Sequence, residues 1–235
     1  MSAVNIFRQT DAVHVVTDGY AIDDTAEPGT GAYFAVPKVF PLPHLNAVVA
    51  ARGVLLAPWL MAMCIARSGD SYDAAKQRAV QSARDCAGSL ANLPRGGLFE
   101  FYVAGFSETT GADSYCVTSS EATGVPVWQV VDLGTSSFAP SDQSVLDEMQ
   151  RGLPANLRTL DDLDPEREGL RVLELQRARH FTGVDSVERM NIGCFAQITT
   201  VTRDAITTRI LRRWPDEIGK RTGPAPARPV ASATC

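Results

Sequence analysis

The sequence opens with two apolar stretches joined by a short polar turn. Residues 2–8 and 12–18 are rich in β-branched and apolar residues, and three polar residues separate them. This pattern predicts two strands that fold back as a hairpin. A hairpin centred on Thr10 pairs residues whose numbers sum to about twenty. It therefore places Ser2 opposite Asp18, at the distance of about 4.5–5.5 Å that separates opposed residues.

A serine next to the initiator methionine suggests a specific chemistry. If Met1 is removed, Ser2 carries a free α-amine beside its own hydroxyl. The hydroxyl is a weak nucleophile until a base takes its proton, and an α-amine with a pKa of about 7.7–8 is partly neutral at pH 7. Nucleophile and base then occupy one residue. Lys38 offers a cation to tune the amine, and the N–H of Gly53 is a candidate oxyanion donor.

These positions resemble the N-terminal-nucleophile hydrolases, in particular proteasome β subunits and the bacterial HslV peptidase. Asp18 follows Ser2 by sixteen positions and stands in a Thr-Asp-Gly run, Lys38 precedes Val-Phe, and an apolar stretch ends at Gly53. The resemblance covers roughly residues 2–212, with its motifs in the first quarter.

The resemblance implies both a fold and an activity. The fold is a four-layer αββα sandwich of the α+β class, with two mainly antiparallel sheets between helical layers. The activity is that of an amide or peptide hydrolase in which Ser2 is nucleophile and base. Lys38 tunes the amine, Asp18 holds Lys38 by a hydrogen bond, and Gly53 stabilises the oxyanion. It also implies a ring-like homo-oligomer, a peptide or small amide as substrate, and no cofactor.

Other interpretations of the same residues remain open. Ser2 stands where the proteasome has threonine, and Arg179 falls where the family has a supporting acid. Asp18 is also suited to cap the turn at Gly19. A non-catalytic protein of the same fold, with a structural or scaffolding role, is therefore the alternative.

The order of predicted elements agrees with two packed sheets. Four strands, two helices, three strands, two helices and two strands follow one another. The second helix is predicted over 72–90, a strand over 126–131 and a polar turn over 133–138. We expect one domain over 1–221, and a disordered tail over the Pro- and Ala-rich residues 222–235.

Composition excludes several classes of function. The net charge is −5 and no block of Lys and Arg occurs, which argues against a nucleic-acid partner. No apolar run approaches the roughly 18–20 residues of a membrane span, and no signal peptide is apparent. The five cysteines have no metal-knuckle spacing, so we expect no metal site. Free thiols, with Cys64 and Cys86 buried, favour a cytoplasmic protein.

Overall fold

The computed structural model of the protein describes residues 3–22, 33–92, 97–153, 157–179, 181–182, 188–189 and 192–217. Ser2 and the predicted tail over 222–235 lie outside these ranges, and the extent of the domain stays a prediction.

Strands and helices alternate in groups along the described chain. The strands are β1 (Val4–Arg8), β2 (Ala12–Asp18), β3 (Tyr20–Ile22), β4 (Tyr33–Ala35), β5 (Val39–Leu42), β6 (Ala47–Gly53), β7 (Phe99–Ser107), β8 (Gly111–Thr118), β9 (Val131–Asp132), β10 (Ser136–Ala139), β11 (Phe181–Thr182), β12 (Glu188–Arg189), β13 (Phe195–Thr202) and β14 (Ile206–Arg213). The helices are α1 (Ala57–Ala66), α2 (Tyr72–Gln77), α3 (Ala79–Leu90), α4 (Gln143–Arg151) and α5 (Pro165–Arg177).

Ten of these strands form two five-stranded sheets. The first sheet has the order β10-β1-β2-β13-β14, and the second has the order β5-β6-β7-β8-β9. Every pairing within them is antiparallel. The expected mixed α+β fold with two antiparallel sheets is thereby confirmed.

The two sheets face each other across an apolar layer. Val4 and Val15 from the first sheet share one buried cluster with Val48 and Ala50 from the second. Side chains alternate between the two faces of a strand, and both faces of β2 are buried along its whole length. This double burial explains why the sequence of β2 is a nearly continuous apolar run.

Helices cover the outer face of each sheet. Met61 of α1 and Ala83 of α3 belong to one cluster with the outward-facing residues of the second sheet, such as Phe101. On the first sheet, Phe7 shares a separate cluster with Val172 of α5 and with residues of α4. Each group of helices therefore has its own apolar contact with one sheet.

Helix α1 is apolar on both sides. None of its ten residues is charged. Met61 and Ile65 are fully buried, but Trp59 is 49% exposed and Met63 is 45% exposed, and Leu56 just before the helix is 47% exposed. Among the described residues, no helix is both long enough and apolar enough to cross a membrane.

The single helix predicted over 72–90 is wrong. The chain forms α2 and α3 instead, and Arg78 between them has φ −99° and ψ 5°, outside the helical region. Its N–H donates to the carbonyl of Ala75, which closes the first helix with a short turn. Tyr72 and Ala75 are both buried in the first of the two helices.

The predicted strand over 126–131 is also largely wrong. Val127 makes one isolated bridge to Thr118, and Trp128 has φ +55°, which interrupts an extended conformation. Only β9, which begins at Val131, joins the second sheet.

The predicted turn over 133–138 contains a strand. Residues of β10 pair with β1, with Phe138 opposite Asn5 and Ser136 opposite Phe7. An edge strand is held by backbone hydrogen bonds to one neighbour, so its side chains need no apolar alternation.

A charged cluster links the sheets at the far end of β1. Arg8 contacts the carboxylate of Asp113 on β8 at 3.3 Å. Lys76 of α2 contacts the same carboxylate at 2.6 Å. The side chain of Asp113 is only 4% exposed, and both cations also lie near the more exposed carboxylate of Asp132, at 3.6 and 3.8 Å.

His14 lies on the outer face of β2 in a hydrogen-bond relay. Gln9 donates its amide hydrogens to the carbonyls of Leu160 and Leu163 at 2.7 and 3.0 Å. Its amide oxygen therefore accepts from Nε2 of His14 at 2.9 Å, and Nδ1 accepts from the hydroxyl of Thr200 at 3.0 Å. Burial lowers the pKa of His14 from 6.5 to about 4, which favours the neutral ring that this relay accommodates.

We predict that His14 makes the stability of the fold pH-dependent. The unfolded chain binds a proton between pH 6.5 and about 4 that the folded chain does not. Above pH 6.5, His14 is neutral in both states and costs no stability. As pH falls from 6.5 towards 4, protonation of the unfolded chain progressively lowers the free energy of unfolding. In His14→Gln, the free energy of unfolding should change less over this window, by roughly 1–3 kcal/mol.

Urea denaturation at several pH values between 7.5 and 4 measures this difference. His44→Gln is the matched control, since His44 is exposed, and it should keep the pH dependence of the parent. An unchanged dependence in His14→Gln would contradict the prediction.

Candidate functional site

The carboxylate of Asp18 is the centre of a buried cluster at one end of the first sheet. Its Oδ1 accepts from the N–H of Ala3 at 2.8 Å and from Nζ of Lys38 at 2.6 Å. Its Oδ2 accepts from the N–H groups of Tyr20 and Gly193 at 3.0 and 3.1 Å. Four donors match the roughly four acceptor positions of a carboxylate. Asp18 is completely buried.

Lys38 reaches Asp18 from the other sheet. It directly precedes β5, and its exposure is only 4%. Burial lowers the pKa of Lys38 below its usual range, and the charge of Asp18 acts in the opposite direction. The expected hydrogen bond between Lys38 and Asp18 is present. It joins the first sheet to the second.

The register of the first hairpin differs from the prediction by one residue. Val4 pairs with Thr17 and Arg8 with Val13, so the paired numbers sum to 21. The turn closes through the N–H of Gln9 and the carbonyl of Ala12, which leaves a two-residue loop rather than three. This register places Ala3 opposite Asp18, and the N–H of Ala3 donates to the Asp18 carboxylate.

Gly53 is the last residue of β6. It lies at the same end of the second sheet as Lys38. Strand β5 begins at Val39, which pairs with Ala50 of β6. Gly53 has φ +119°, and a Cβ there would lie 2.5 Å from the carbonyl oxygen of Leu98. Glycine is therefore required by backbone geometry, and its role as oxyanion donor stays a prediction.

The structure adds a second buried ion pair that the sequence analysis did not identify. Nη1 of Arg52 lies 2.5 Å from Oε2 of Glu100, and the two residues are directly opposite on β6 and β7. Their exposures are 6% and 3%. Each is a single charge within an apolar strand, and that isolation is the feature that could have drawn attention to them.

Cys194 also lies close to the cluster. It has φ +62°, and its N–H donates to the carboxylate of Asp216 at 2.8 Å. Burial raises the pKa of the Cys194 thiol, and the charges of Asp216 and Asp18 raise it further. A thiol with a raised pKa is a poor nucleophile at neutral pH.

The remaining cysteines agree with the expectation of free thiols. Cys86 is buried and Cys64 is half-buried, and all four cysteines in the described part of the chain are unpaired. Burial raises the pKa of both Cys86 and Cys116 to about 12. Within the described ranges, no group of three potential metal ligands occurs.

One further position bears on the resemblance. Arg179, which stands where a supporting acid was expected, makes an ion pair with Glu148 of α4 at 3.1 Å.

No model of a known protein family matches the sequence, and no curated protein matches it significantly.

We predict that the cation of Lys38 stabilises the fold. Lys38→Met leaves a buried carboxylate without its counter-charge, and we expect the free energy of unfolding to fall by about 3 kcal/mol. Lys76→Met is the matched control, because the side chain of Lys76 is 27% exposed and Asp113 keeps Arg8. That change should cost less than about 1 kcal/mol. Equal urea midpoints for the two variants would contradict the prediction.

Proposed function

We propose that the protein is an N-terminal-nucleophile amide or peptide hydrolase that uses Ser2 after removal of Met1. The observation that carries the proposal is the buried Lys38–Asp18 ion pair, at 2.6 Å, on the same carboxylate oxygen that accepts from the N–H of Ala3. Ser2 is covalently joined to that N–H. The proposal places the first residue of the processed chain beside a cation held in a dry environment.

The proposed mechanism divides the work among four residues. The α-amine of Ser2 takes the hydroxyl proton as the oxygen attacks the amide carbonyl, and later gives a proton to the leaving amine. The positive charge of Lys38 disfavours protonation of that amine, which keeps it available as a base. Asp18 fixes Lys38 by a charge-assisted hydrogen bond. The N–H of Gly53 stabilises the oxyanion, a contribution typically worth on the order of 10²–10³ in rate.

The fold supports this proposal. We propose that the sheets and helices form the four-layer αββα sandwich of these hydrolases. The support is the apolar layer between the sheets and the separate helix clusters on their outer faces.

A non-catalytic role is the second candidate, and one observation favours it. Asp18 binds backbone N–H groups from three segments in addition to Lys38. A carboxylate that ties three segments together has a structural reason to be buried, whether or not Ser2 reacts. In that case the ion pair with Lys38 neutralises a structural charge.

The first test is chemical. Mass spectrometry of the purified chain determines whether Met1 is removed, and an electrophilic inhibitor of N-terminal nucleophiles should then add one adduct at Ser2. On a panel of peptide and amide substrates, Ser2→Ala should abolish turnover and Ser2→Thr should retain part of it. Lys38→Ala should nearly abolish turnover, because the amine loses its neighbouring cation.

Lys76→Ala serves as the control for removal of a lysine and should leave turnover unchanged. Gly53→Ala is a poor probe, because its Cβ would meet the backbone of Leu98. A parent chain that keeps Met1 and cleaves no substrate would establish the non-catalytic role. Turnover by Ser2→Ala at the parent rate would place the reaction elsewhere.

We also propose that the protein associates with further copies of itself, as the ring-like assembly of the resembling family implies. Leu55, Leu56, Trp59 and Met63 leave exposed apolar surface at α1, on the order of 300 Å², a size typical of interaction sites. No charge interrupts it within α1. This surface can therefore pack against another copy of the chain without repulsion between like charges.

Light scattering after size exclusion tests this association. The parent should exceed the monomer mass, and Trp59→Glu should shift the distribution towards monomer. Leu146→Glu is the matched control, since Leu146 of α4 is 39% exposed, and it should leave the mass unchanged. A parent that stays monomeric at high concentration would contradict the proposal.

A further inference from the structure

Gly193 lies in the short segment that leads into β13, and it supplies one of the donors of Asp18. Its N–H donates to Oδ2 of Asp18 at 3.1 Å. Its carbonyl accepts from the N–H of Gly19, the residue after Asp18, also at 3.1 Å. The backbone of Gly193 therefore contacts both the carboxylate of Asp18 and the bend that follows it.

The next residue, Cys194, is held by the segment that follows β14. Its N–H donates to the carboxylate of Asp216 at 2.8 Å, and its carbonyl accepts from the N–H of Trp214 at 3.0 Å. Cys194 has φ +62°, a conformation that a residue with a side chain keeps only where the surrounding contacts impose it. The two hydrogen bonds to its backbone are contacts of this kind.

Arg177, the last residue of α5, fixes Asp216 through a bidentate ion pair. Its Nη2 lies 2.5 Å from Oδ1 of Asp216, and its Nη1 lies 2.8 Å from Oδ2. Nη1 also donates to the carbonyl of Ile192 at 2.6 Å. The side chains of Arg177 and Asp216 are only 12% and 9% exposed, and bidentate pairs of this type are among the strongest polar contacts. Arg177 therefore holds both neighbours of Gly193, one directly and one through Asp216.

The preceding residue of α5 reaches another segment that binds Asp18. Gln176 and Asn5 of β1 exchange two buried hydrogen bonds between their side-chain amides, at 2.9 and 2.8 Å. Asn5 is two residues from Ala3, whose N–H donates to Asp18. The last turn of α5 thus contacts two of the segments whose backbone binds the Asp18 carboxylate.

We propose that Arg177 and Asp216 are positioning residues for this site, and that their ion pair keeps the N–H of Gly193 on Asp18. Its consequence for catalysis rests on the proposed function. A carboxylate that loses one of its donors can turn, and Nζ of Lys38, which it binds at 2.6 Å, then moves with it. The effect on Gly193 itself requires no reaction.

The proposal predicts a local change at an amide whose own acceptor is untouched. In Arg177→Gln and in Asp216→Asn, the exchange rate of the Gly193 N–H should rise roughly tenfold or more, because the segment that carries it opens more often. The N–H groups of Ala3 and Tyr20 donate to the same carboxylate and should keep their parent rates. An ion pair that served only overall stability would raise the exchange of all three amides together.

Hydrogen–deuterium exchange of the full-length chain, followed by nuclear magnetic resonance, resolves these three amides. Arg171→Gln is the matched control. Arg171 of α5 also donates to a backbone carbonyl and to a carboxylate, those of Met149 and Glu168, each at 3.5 Å. It faces α4, so its removal should leave the exchange of Gly193 at the parent rate.

A conservative variant covers the case in which Arg177→Gln does not fold. Arg177→Lys keeps the positive charge but not the bidentate geometry. It should therefore raise the exchange of Gly193 by a smaller factor than Asp216→Asn does. An exchange rate in Arg177→Lys equal to that of the parent would count against the proposal.

Kinetics provide the readout for catalysis. In an active parent, Arg177→Gln should lower kcat by roughly 10- to 100-fold with little change in KM, because small misplacements of a catalytic group have effects of this size. Arg171→Gln should keep the parent kcat.

The outcomes separate this proposal from the proposed function. Unchanged exchange at Gly193, or equal increases at Gly193, Ala3 and Tyr20, would overturn it. Faster exchange at Gly193 with the parent kcat would overturn its consequence for catalysis. An inactive parent refutes the proposed function, and the exchange of Gly193 still decides whether the ion pair positions that residue.

Discussion

One carboxylate, that of Asp18, determines how the two sheets meet. Backbone N–H groups of Ala3, Tyr20 and Gly193 converge on it from the first sheet and its connections, and Lys38 reaches it from the second. Without a negative charge at this point, several buried donors would face one another unsatisfied, which is costly in a dry interior. The start of β1, the bend after β2 and the start of β5 therefore share one electrostatic anchor.

The layer between the sheets changes character along its length. Valine and alanine fill its middle, whereas the end near Asp18 holds two ion pairs, Lys38 with Asp18 and Arg52 with Glu100. Each cation has its own carboxylate, so the buried end carries no net charge from these four groups. The electrostatic attraction between these opposite charges is strong because little water screens it.

The sequence was most informative where burial imposes a pattern. Strands buried on both faces appear as apolar runs, and the helix faces follow from the spacing of small and apolar residues. The contact between Asp18 and Lys38 was also expected, from the resemblance. The register was missed because a loop of two or three residues gives the same apolar pattern. The break at Arg78 was missed because arginine is a good helix former, and the pairing of Arg52 with Glu100 depends on strand register that no local pattern encodes.

The ion pairs at the two ends of β1 have a mechanical consequence. Near Ala3 the sheets are tied by Asp18 and Lys38, and beyond the other end of the strand they are tied by Arg8 and Asp113. Two sheets joined by ion pairs at both ends resist sliding past each other and resist opening at either end. Opening a gap between the sheets would first break a buried ion pair, so the sheets act as a rigid frame.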